Sequence, residues 1–226
     1  MEAAVRRDFP ELPPATRPIP LIFFDRESDY RQFASRLNQR FSMQRRDPAT
    51  SGFAMLGFAA SWVREDQQVR PVHIHESNHA LMYQMLNFTA YNDWLQEGLA
   101  TRYQLRYRPQ DLRPLLQDAL KSESLRSPFE KLMDGSSIGI TRYWQAHLVV
   151  EWFLTDPDRR ARFQNFLKEM HQQRRIDARP VASIFGKPLA ELEQDWLAWV
   201  RAELARGSFR DGFLRDGRAE AGRPRP

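Results

Sequence analysis

The order of apolar patterns along the chain is the feature that most limits its fold. Short apolar runs bounded by Pro, Gly or Asp lie in the first third of the 226 residues, at about 20 to 25 and within 51 to 63. The first run predicts a buried strand. The second predicts two short strands or one strand with a bulge, because Gly52 and Gly57 interrupt it. From residue 71 onwards the pattern is mostly helical, which indicates an α+β fold with a small, mostly antiparallel N-terminal sheet followed by a helical subdomain.

Helical spacing of apolar residues predicts one helix between the two strand regions and six more after them. The first is expected over about 28 to 41, in the stretch SDYRQFASRLNQRF. The others are expected at about 71 to 86, 93 to 107, 111 to 122, 141 to 155, 158 to 172 and 188 to 205. The last of these has Pro188 near its start and Gly207 just past its end, which is the usual placement of these two residues at helix termini.

The two ends of the chain differ in composition from its middle. Residues 1 to 19 are rich in Pro and polar residues, which predicts an extended lead-in without packed structure. Residues 207 to 226 are rich in Gly, Arg and Pro without a period, which predicts a disordered tail. The remaining residues, 20 to 206, are expected to form one domain, because this length suits a single hydrophobic core.

Composition narrows the possible metal ligands and partners. The chain has no Cys, so any bound metal must be held by His, Asp or Glu. Its formal charge is +5, and most of its 34 basic residues are Arg. A basic balance makes nucleic-acid binding an alternative function, but the charges are spread along the chain, so we expect no specific nucleic-acid partner.

The sequence contains no obvious membrane or export segment. No apolar run approaches the ~20 residues that a transmembrane helix needs, and the first twenty residues lack an apolar core of signal-peptide type. We therefore expect a soluble protein, cytoplasmic as the sequence is written, or exported if an export signal precedes Met1 in a longer precursor. The oligomeric state is not indicated by any pattern in the sequence.

The stretch HIHESNHALMYQML, residues 73 to 86, holds three of the chain's five histidines. Within it, HESNH at 75 to 79 matches the H-E-x-x-H pattern of zinc metallopeptidases. On a helix, His75 and His79 lie one turn apart on the same face, so both imidazoles can reach one ion. Glu76 lies beside that face, on the side where a metal-bound water would sit.

A third ligand is expected outside this helix. A catalytic zinc site needs three protein ligands and one open position for water. The best candidate is Glu97, in the helical pattern NDWLQEGLATRY at 92 to 103. The loop at 87 to 92 is short enough for the two helices to fold back antiparallel, which would bring Glu97 over the histidine pair.

These motifs together resemble a known family. H-E-x-x-H followed by W-x-x-E-G-x-A is similar to the gluzincin metallopeptidases, and more closely to the peptidase MA-like domains of bacteria. Two further stretches resemble that family's Tyr-containing helix and its closing segment, namely TRYWQAHLVVEWFL at 141 to 154 and IFGKPLAELEQDWLAWV at 184 to 200. The resemblance covers about residues 20 to 205.

The resemblance implies a zincin-like fold and a zinc-dependent peptidase. His75, His79 and Glu97 would bind one Zn²⁺ per chain, and Glu76 would act as general base on the zinc-bound water. The substrate would be a peptide or protein. This chemistry agrees with the ligand types, because two neutral imidazoles and one carboxylate leave the Zn²⁺ site with residual positive charge that acidifies bound water.

The oxyanion that develops during hydrolysis would need a further hydrogen-bond donor. Tyr143 is the candidate, by similarity to the helical tyrosine of related peptidases. His147 follows four residues later, so it lies on the same helical face and is the alternative donor. His73 precedes the first ligand by two residues and is expected to cap or to form a local hydrogen bond rather than to bind the metal.

The sequence departs from its relatives at two places. Thermolysin-like gluzincins carry an acid four residues after the glutamate ligand, where this chain has Thr101, so the partner that orients the first histidine must come from elsewhere. Gluzincin aminopeptidases carry a G-x-M-E-N segment, whereas GFAMLGFAASW at 52 to 62 contains no acid. An endopeptidase is therefore favoured over an aminopeptidase. The alternative is a noncatalytic zinc-binding or interaction domain derived from a peptidase fold.

Overall fold

The strands lie in the first third of the chain and most helices follow them, apart from one short helix at the N-terminus and the predicted helix between the first two strands. The computed structural model describes residues 1–41, 50–55, 57–62, 71–86, 93–173 and 179–209. The strands in these ranges are β1 (Leu21–Phe24), β2 (Gly52–Met55) and β3 (Phe58–Trp62). The helices are α1 (Glu2–Asp8), α2 (Glu27–Phe41), α3 (Val72–Leu86), α4 (Asp93–Tyr107), α5 (Arg113–Lys121), α6 (Phe129–Leu132), α7 (Tyr143–Thr155), α8 (Pro157–Gln173), α9 (Arg179–Phe185) and α10 (Leu189–Ala205).

The seven predicted helices and the two short strands in the region 51 to 63 are confirmed, with bounds within two residues of those expected. Three of the α-helices in the described ranges were not predicted: α1, α6 and α9. Each has seven residues or fewer. So short a segment does not complete two full turns, and its apolar residues therefore show no helical period.

The sheet is mixed rather than mostly antiparallel, so that part of the prediction is wrong. Its strand order is β1-β3-β2, with β1 parallel to β3 and β2 antiparallel to β3. The antiparallel pair is a hairpin that turns at Gly57, whose φ of 83° favours glycine. The parallel pair requires a long crossover, and α2 lies within the connection that supplies it.

β1 is an edge strand that is only partly covered on one of its two faces, which corrects the prediction of a buried strand. Phe24 on its covered face contacts Tyr30 and Phe33 of α2. On its other face Leu21 and Phe23 remain 45% and 51% exposed. An edge strand can expose large apolar side chains without losing its backbone pairing. The sequence of β1 is therefore apolar on both faces and does not reveal which face is exposed.

The main core is helical and is centred on α7. All side chains from Trp144 to Leu154 are buried, so this helix is surrounded by other elements. The buried faces of α3, α4, α8 and α10 pack in the same cluster. α7 is also strongly apolar, but it has only 13 residues. None of the helices in the described ranges combines the length and apolar composition required to cross a membrane.

The N-terminal segment is packed, which overturns the prediction of an extended lead-in over 1 to 19. It begins with α1, and Val5, Phe9 and Leu12 are buried in the main core. The carboxylate of Asp8 accepts hydrogen bonds from side chains of α4, namely Arg102 (3.2 Å), Tyr103 (3.0 Å) and Arg106 (2.7 Å). Apolar anchors spaced four and three residues apart were hidden among Arg and Pro residues that suggested an unpacked chain.

The first residues of the predicted C-terminal tail, 207 to 209, are part of the folded domain. Phe209 is fully buried and packs edge-on against Trp199 of α10. Its carbonyl accepts a hydrogen bond of 3.2 Å from the backbone N–H of Leu112. The chain therefore remains part of the domain through residue 209, and the rest of the predicted tail, 210 to 226, lies outside the described residues.

Candidate metal centre

α3 presents two imidazoles toward α4. The rings of His75 and His79 lie with their centroids 4.8 Å apart and their planes at 76°. Buried apolar residues of the same helix fix it against the core, among them Leu81, Met82 and Met85. The i and i+4 spacing predicted from the sequence thus brings both rings to one place on the helix surface.

Glu97 of α4 completes the group, as predicted. One carboxylate oxygen, Oε2, lies 2.9 Å from Nε2 of His75 and 3.4 Å from Nε2 of His79. One ligand atom from each of the three residues lies within 4.8 Å of the other two. In the described part of the chain this is the one cluster of three or more His, Asp or Glu side chains that could hold a metal ion.

The group is largely withdrawn from solvent. The side chains of His75, Glu97 and His79 are 10%, 17% and 15% exposed. Burial by itself would raise the pKa of the Glu97 carboxyl, but the charge of His79 and hydrogen bonds from both histidines lower that pKa well below its usual range. Burial would lower the pKa of His79, but Glu97, Glu76 and Asp93 raise it above its ordinary value. The site therefore has a net attraction for positive charge.

The donor set fits a divalent metal ion. Four ligands at ~2.0–2.1 Å around a tetrahedral ion are separated from each other by about 3.3 Å. The two distances from Glu97 to the imidazole nitrogens, 2.9 and 3.4 Å, are close to this separation. Imidazole nitrogen and carboxylate oxygen suit Zn²⁺ and several other first-row metals, so the geometry identifies a metal-binding class and not one element.

Glu76 lies on the side of α3 that faces the sheet. A Cβ at Gly52 of β2 would lie 2.9 Å from Cγ of Glu76 and 2.8 Å from Cγ1 of Val72. The strand therefore approaches α3 closely because residue 52 has no side chain. The charge of Glu76 acts on His79 and on Tyr143, which places this carboxylate electrostatically within the site while it stays out of the three-residue ligand group.

A second glycine sets the distance between α4 and α7. A Cβ at Gly98 would lie 2.7 Å from the carbonyl oxygen of Ala146 and 3.0 Å from Cγ2 of Val150. Glycine inside a helix costs about 1 kcal/mol relative to alanine, so its presence at this position is explained by the close contact that it permits. The two helices consequently meet immediately beside Glu97.

Tyr143, the first residue of α7, lies directly against the ligand group. Its ring stacks on the ring of His75, with centroids 5.7 Å apart and planes at 10°. Burial raises the pKa of the Tyr143 hydroxyl, and the nearby Glu97 carboxylate raises it further, so the hydroxyl keeps its proton.

The other two histidines named from the sequence are not part of the ligand group. His147 has no exposed surface, so a substrate has no direct access to it as an oxyanion donor. His73 lies between Phe23 of β1 and Tyr107 of α4, with ring centroids 5.9 and 6.4 Å away. Its carbonyl accepts a 2.5 Å hydrogen bond from Ser77, and burial lowers the pKa of its imidazole. The prediction of a local structural role for His73 agrees with these contacts.

Sequence reasoning missed two features of the site, the close contacts at two glycines and a buried asparagine. Gly52 and Gly98 allow the close approaches just described. Gly98 lies in the middle of a predicted helix, and this unusual position was the signal available in the sequence for its contact with α7. Asn78 lies between the two ligands on α3, is fully buried, and finds no hydrogen-bond partner for either amide atom among the described residues. Thr101, at the position where the thermolysin-like enzymes that the sequence resembles have an acid, is also buried, and within the described ranges its hydroxyl has no hydrogen-bond partner.

Comparisons with known proteins found no similar protein. The chain matches no family model, no curated protein sequence and no solved structure.

Proposed function

We propose that this protein is a zinc-dependent metallopeptidase of gluzincin type. The observation that carries the proposal is the convergence of His75, His79 and Glu97, whose ligand atoms lie within 4.8 Å of one another. An H-E-x-x-H pair and a glutamate from a second helix are the ligand set that hydrolytic zinc sites use, with the fourth position left for water. The sequence resemblance to peptidase MA-like domains supports the same function.

The proposed chemistry assigns one role to each residue. His75, His79 and Glu97 would hold the ion, which when bound supplies an acidified water and polarises the substrate carbonyl. Glu76 would accept the proton of that water as the carbonyl is attacked, and would then deliver it to the leaving amine. Tyr143 is the candidate donor to the oxyanion, by the resemblance, and its position beside His75 is compatible with that role.

The surroundings of Glu76 favour an extended peptide as substrate. β2 pairs with β3 on one side, and its other edge has no strand partner among the described residues. An extended peptide can add to a free strand edge through main-chain hydrogen bonds. Because Gly52 of this strand contacts Glu76, a peptide on that edge would lie near the general base. The absence of an acid in 52 to 62 favours an endopeptidase over an aminopeptidase.

The test of this function is Glu76→Gln. The substitution keeps size and hydrogen-bonding capacity but removes the base, so we expect zinc content to stay at the wild-type level while hydrolysis of a peptide library falls by at least about 100-fold. Glu191→Gln makes the same chemical change on the exposed start of α10 and should leave both quantities unchanged. Full activity in the Glu76 variant would exclude the proposed mechanism.

A second candidate is a noncatalytic zinc-binding domain that retains the fold of a peptidase. Thr101 favours it, because a threonine stands where related enzymes have the acid that orients the first histidine. This alternative predicts zinc bound at wild-type His75, His79 and Glu97 with no peptide cleaved above the rate of the Glu76→Gln variant. Cleavage of any library member that depends on Glu76 removes it.

A further inference from the structure

We infer that Tyr143 is a positioning residue of the metal centre, which orients Glu97 through its hydroxyl and His75 through its ring. The inference rests on the proposed function and deepens it, because it names a residue that supports the metal ligands although position 101 carries a threonine and no acid. The sequence resemblance suggests that Tyr143 donates a hydrogen bond to the substrate oxyanion. The inference assigns Tyr143 instead to the support of the metal ligands.

The contacts of Tyr143 are with the ligands themselves. Its ring lies parallel to the imidazole of His75, with a centroid distance of 5.7 Å and an angle of 10° between planes. Its hydroxyl lies close enough to the carboxylate of Glu97 for that charge to raise its pKa. A hydrogen bond to a ligating carboxylate fixes its orientation, and packing against a ligating ring limits the rotation of that ring. The ligands then lose less conformational entropy when they bind an ion, which favours binding.

The start of α7 is held firmly enough to perform this role. Arg142, immediately before Tyr143, donates to the hydroxyl of Ser127 (3.1 Å) and to the carbonyl of Ser124 (2.9 Å). Gln145, two residues after Tyr143, exchanges two hydrogen bonds with the backbone of Ser127, at 2.8 and 2.7 Å. Tyr143 therefore lies between two residues that are hydrogen-bonded to the segment 124 to 127, which holds the start of α7 in place.

The packing of α4 against α7 brings Tyr143 within reach of Glu97. Gly98, next to Glu97, allows the backbone of Ala146 to approach to van der Waals distance. Ala146 lies about one turn after Tyr143, so the closest point between the two helices is adjacent to both functional side chains. A larger residue at 98 would separate the hydroxyl from the carboxylate.

The test measures zinc affinity in Tyr143→Phe, which retains the stacked ring and removes the hydroxyl. Loss of an outer partner of a metal ligand typically weakens affinity about 10- to 100-fold, and we expect a loss in this range. Tyr107→Phe removes a hydroxyl from an exposed tyrosine and should leave the affinity unchanged. Tyr143→Leu removes the ring as well and should weaken binding further. Circular dichroism of the zinc-free proteins establishes that the fold is retained.

The outcomes separate this inference from the proposed function. Wild-type zinc affinity in Tyr143→Phe, with hydrolysis lost at saturating zinc, would overturn the positioning role and assign Tyr143 to the oxyanion. Weakened affinity, with hydrolysis restored to within a few-fold by saturating zinc, supports positioning. If the wild-type protein and all Tyr143 variants bind no zinc, the proposed function fails. This result differs from loss of affinity in the Tyr143 variants alone.

Discussion

At the scale of the residue, the environment of Glu97 determines what the site can bind. Its carboxylate is nearly buried and lies 2.9 and 3.4 Å from the two imidazole nitrogens. Among the described residues, the groups that lower its pKa most are these two histidines and no Lys or Arg. A buried carboxylate is costly unless it is paired, and in this site the partners are two groups that are themselves metal ligands. The arrangement is consequently better suited to a cation than to a structural salt bridge.

Gly98→Ala is expected to destabilise the protein, although an alanine in a helix is normally favourable. A Cβ at this position would meet the Ala146 carbonyl oxygen at 2.7 Å, so α7 must move away from α4. Overpacking of this kind costs about 1–3 kcal/mol of unfolding free energy, which exceeds the gain of about 1 kcal/mol from helix propensity. Urea unfolding of the zinc-free protein measures the difference.

Gly139→Ala is the matched control for that experiment. Gly139 has a φ of −71°, and a Cβ there would have a nearest contact at 3.8 Å, so the substitution introduces neither strain nor a clash. Its effect should be within about 0.5 kcal/mol. Equal stability of the two variants would contradict the role assigned to the close contact at Gly98.

The ligands could be predicted from the sequence because helix geometry converts spacing into a shared face. His75 and His79 needed only the i, i+4 rule, and Glu97 needed only a second helix and a short connection. Tyr143 was named through resemblance, and its contact with Glu97 was not foreseen. That contact depends on how closely two helices pack, which is decided by tertiary structure at Gly98 and is not encoded in local periodicity.

At the scale of the element, α1 is joined to α4 by a nearly buried group of charges. Asp8 accepts from three α4 side chains, and one of these, Arg102, also pairs with Glu151 of α7. Burial lowers the pKa of Arg102, as does the charge of Arg106, while Asp8 opposes both effects. The helix that carries Glu97 is thus fixed from the side opposite the metal centre by the N-terminal segment.

Asp8→Ala should be strongly destabilising. It leaves Arg102 with one carboxylate partner instead of two and leaves the Tyr103 hydroxyl without its acceptor. Breaking a buried ion pair costs about 3–5 kcal/mol, and the partial exposure of Arg106 places this case near the lower end. Asp195→Ala breaks an ion pair with Lys187 that is about half exposed and should cost less than about 1 kcal/mol. Similar unfolding free energies for the two variants would contradict the account of α1.

The elements differ in how far the sequence could predict them. Helices of nine residues or more were found because each spans several repeats of the apolar pattern. The packing of 1 to 19 was missed because its stability comes from α4 and the main core, about ninety residues away in the sequence. The parallel pairing of β1 was missed for the same kind of reason, since strand direction depends on the crossover and not on the strand itself.

At the scale of the whole molecule, the metal centre joins elements that are distant in sequence. Its residues come from α3, α4 and the start of α7, whose buried faces share the main core. An ion bound there would connect these helices in the folded state, and the unfolded chain would not present the three ligands together. Metal binding should therefore be linked to folding.

Zinc is accordingly expected to raise the thermal unfolding temperature. At a free concentration 100 times the dissociation constant, the stabilisation is about 2.7 kcal/mol. For a domain of this size each kcal/mol shifts the midpoint by about 2–4 °C, so an increase of roughly 5–11 °C is expected. Differential scanning calorimetry with and without EDTA measures it. The same increase in Glu97→Ala would show that zinc acts elsewhere on the protein.

The measurement that tests the central claim most directly is the metal content of four purified proteins: wild type, His75→Ala, Glu97→Ala and the control His73→Ala. After zinc loading and removal of free metal, mass spectrometry of the metal should give about one zinc per chain for the wild type and for His73→Ala, because a hydrolytic zinc site takes one ion through three protein ligands. The His75 and Glu97 variants should retain little. A wild-type protein with no zinc above background, or equal zinc in all four, would contradict the proposed metal centre.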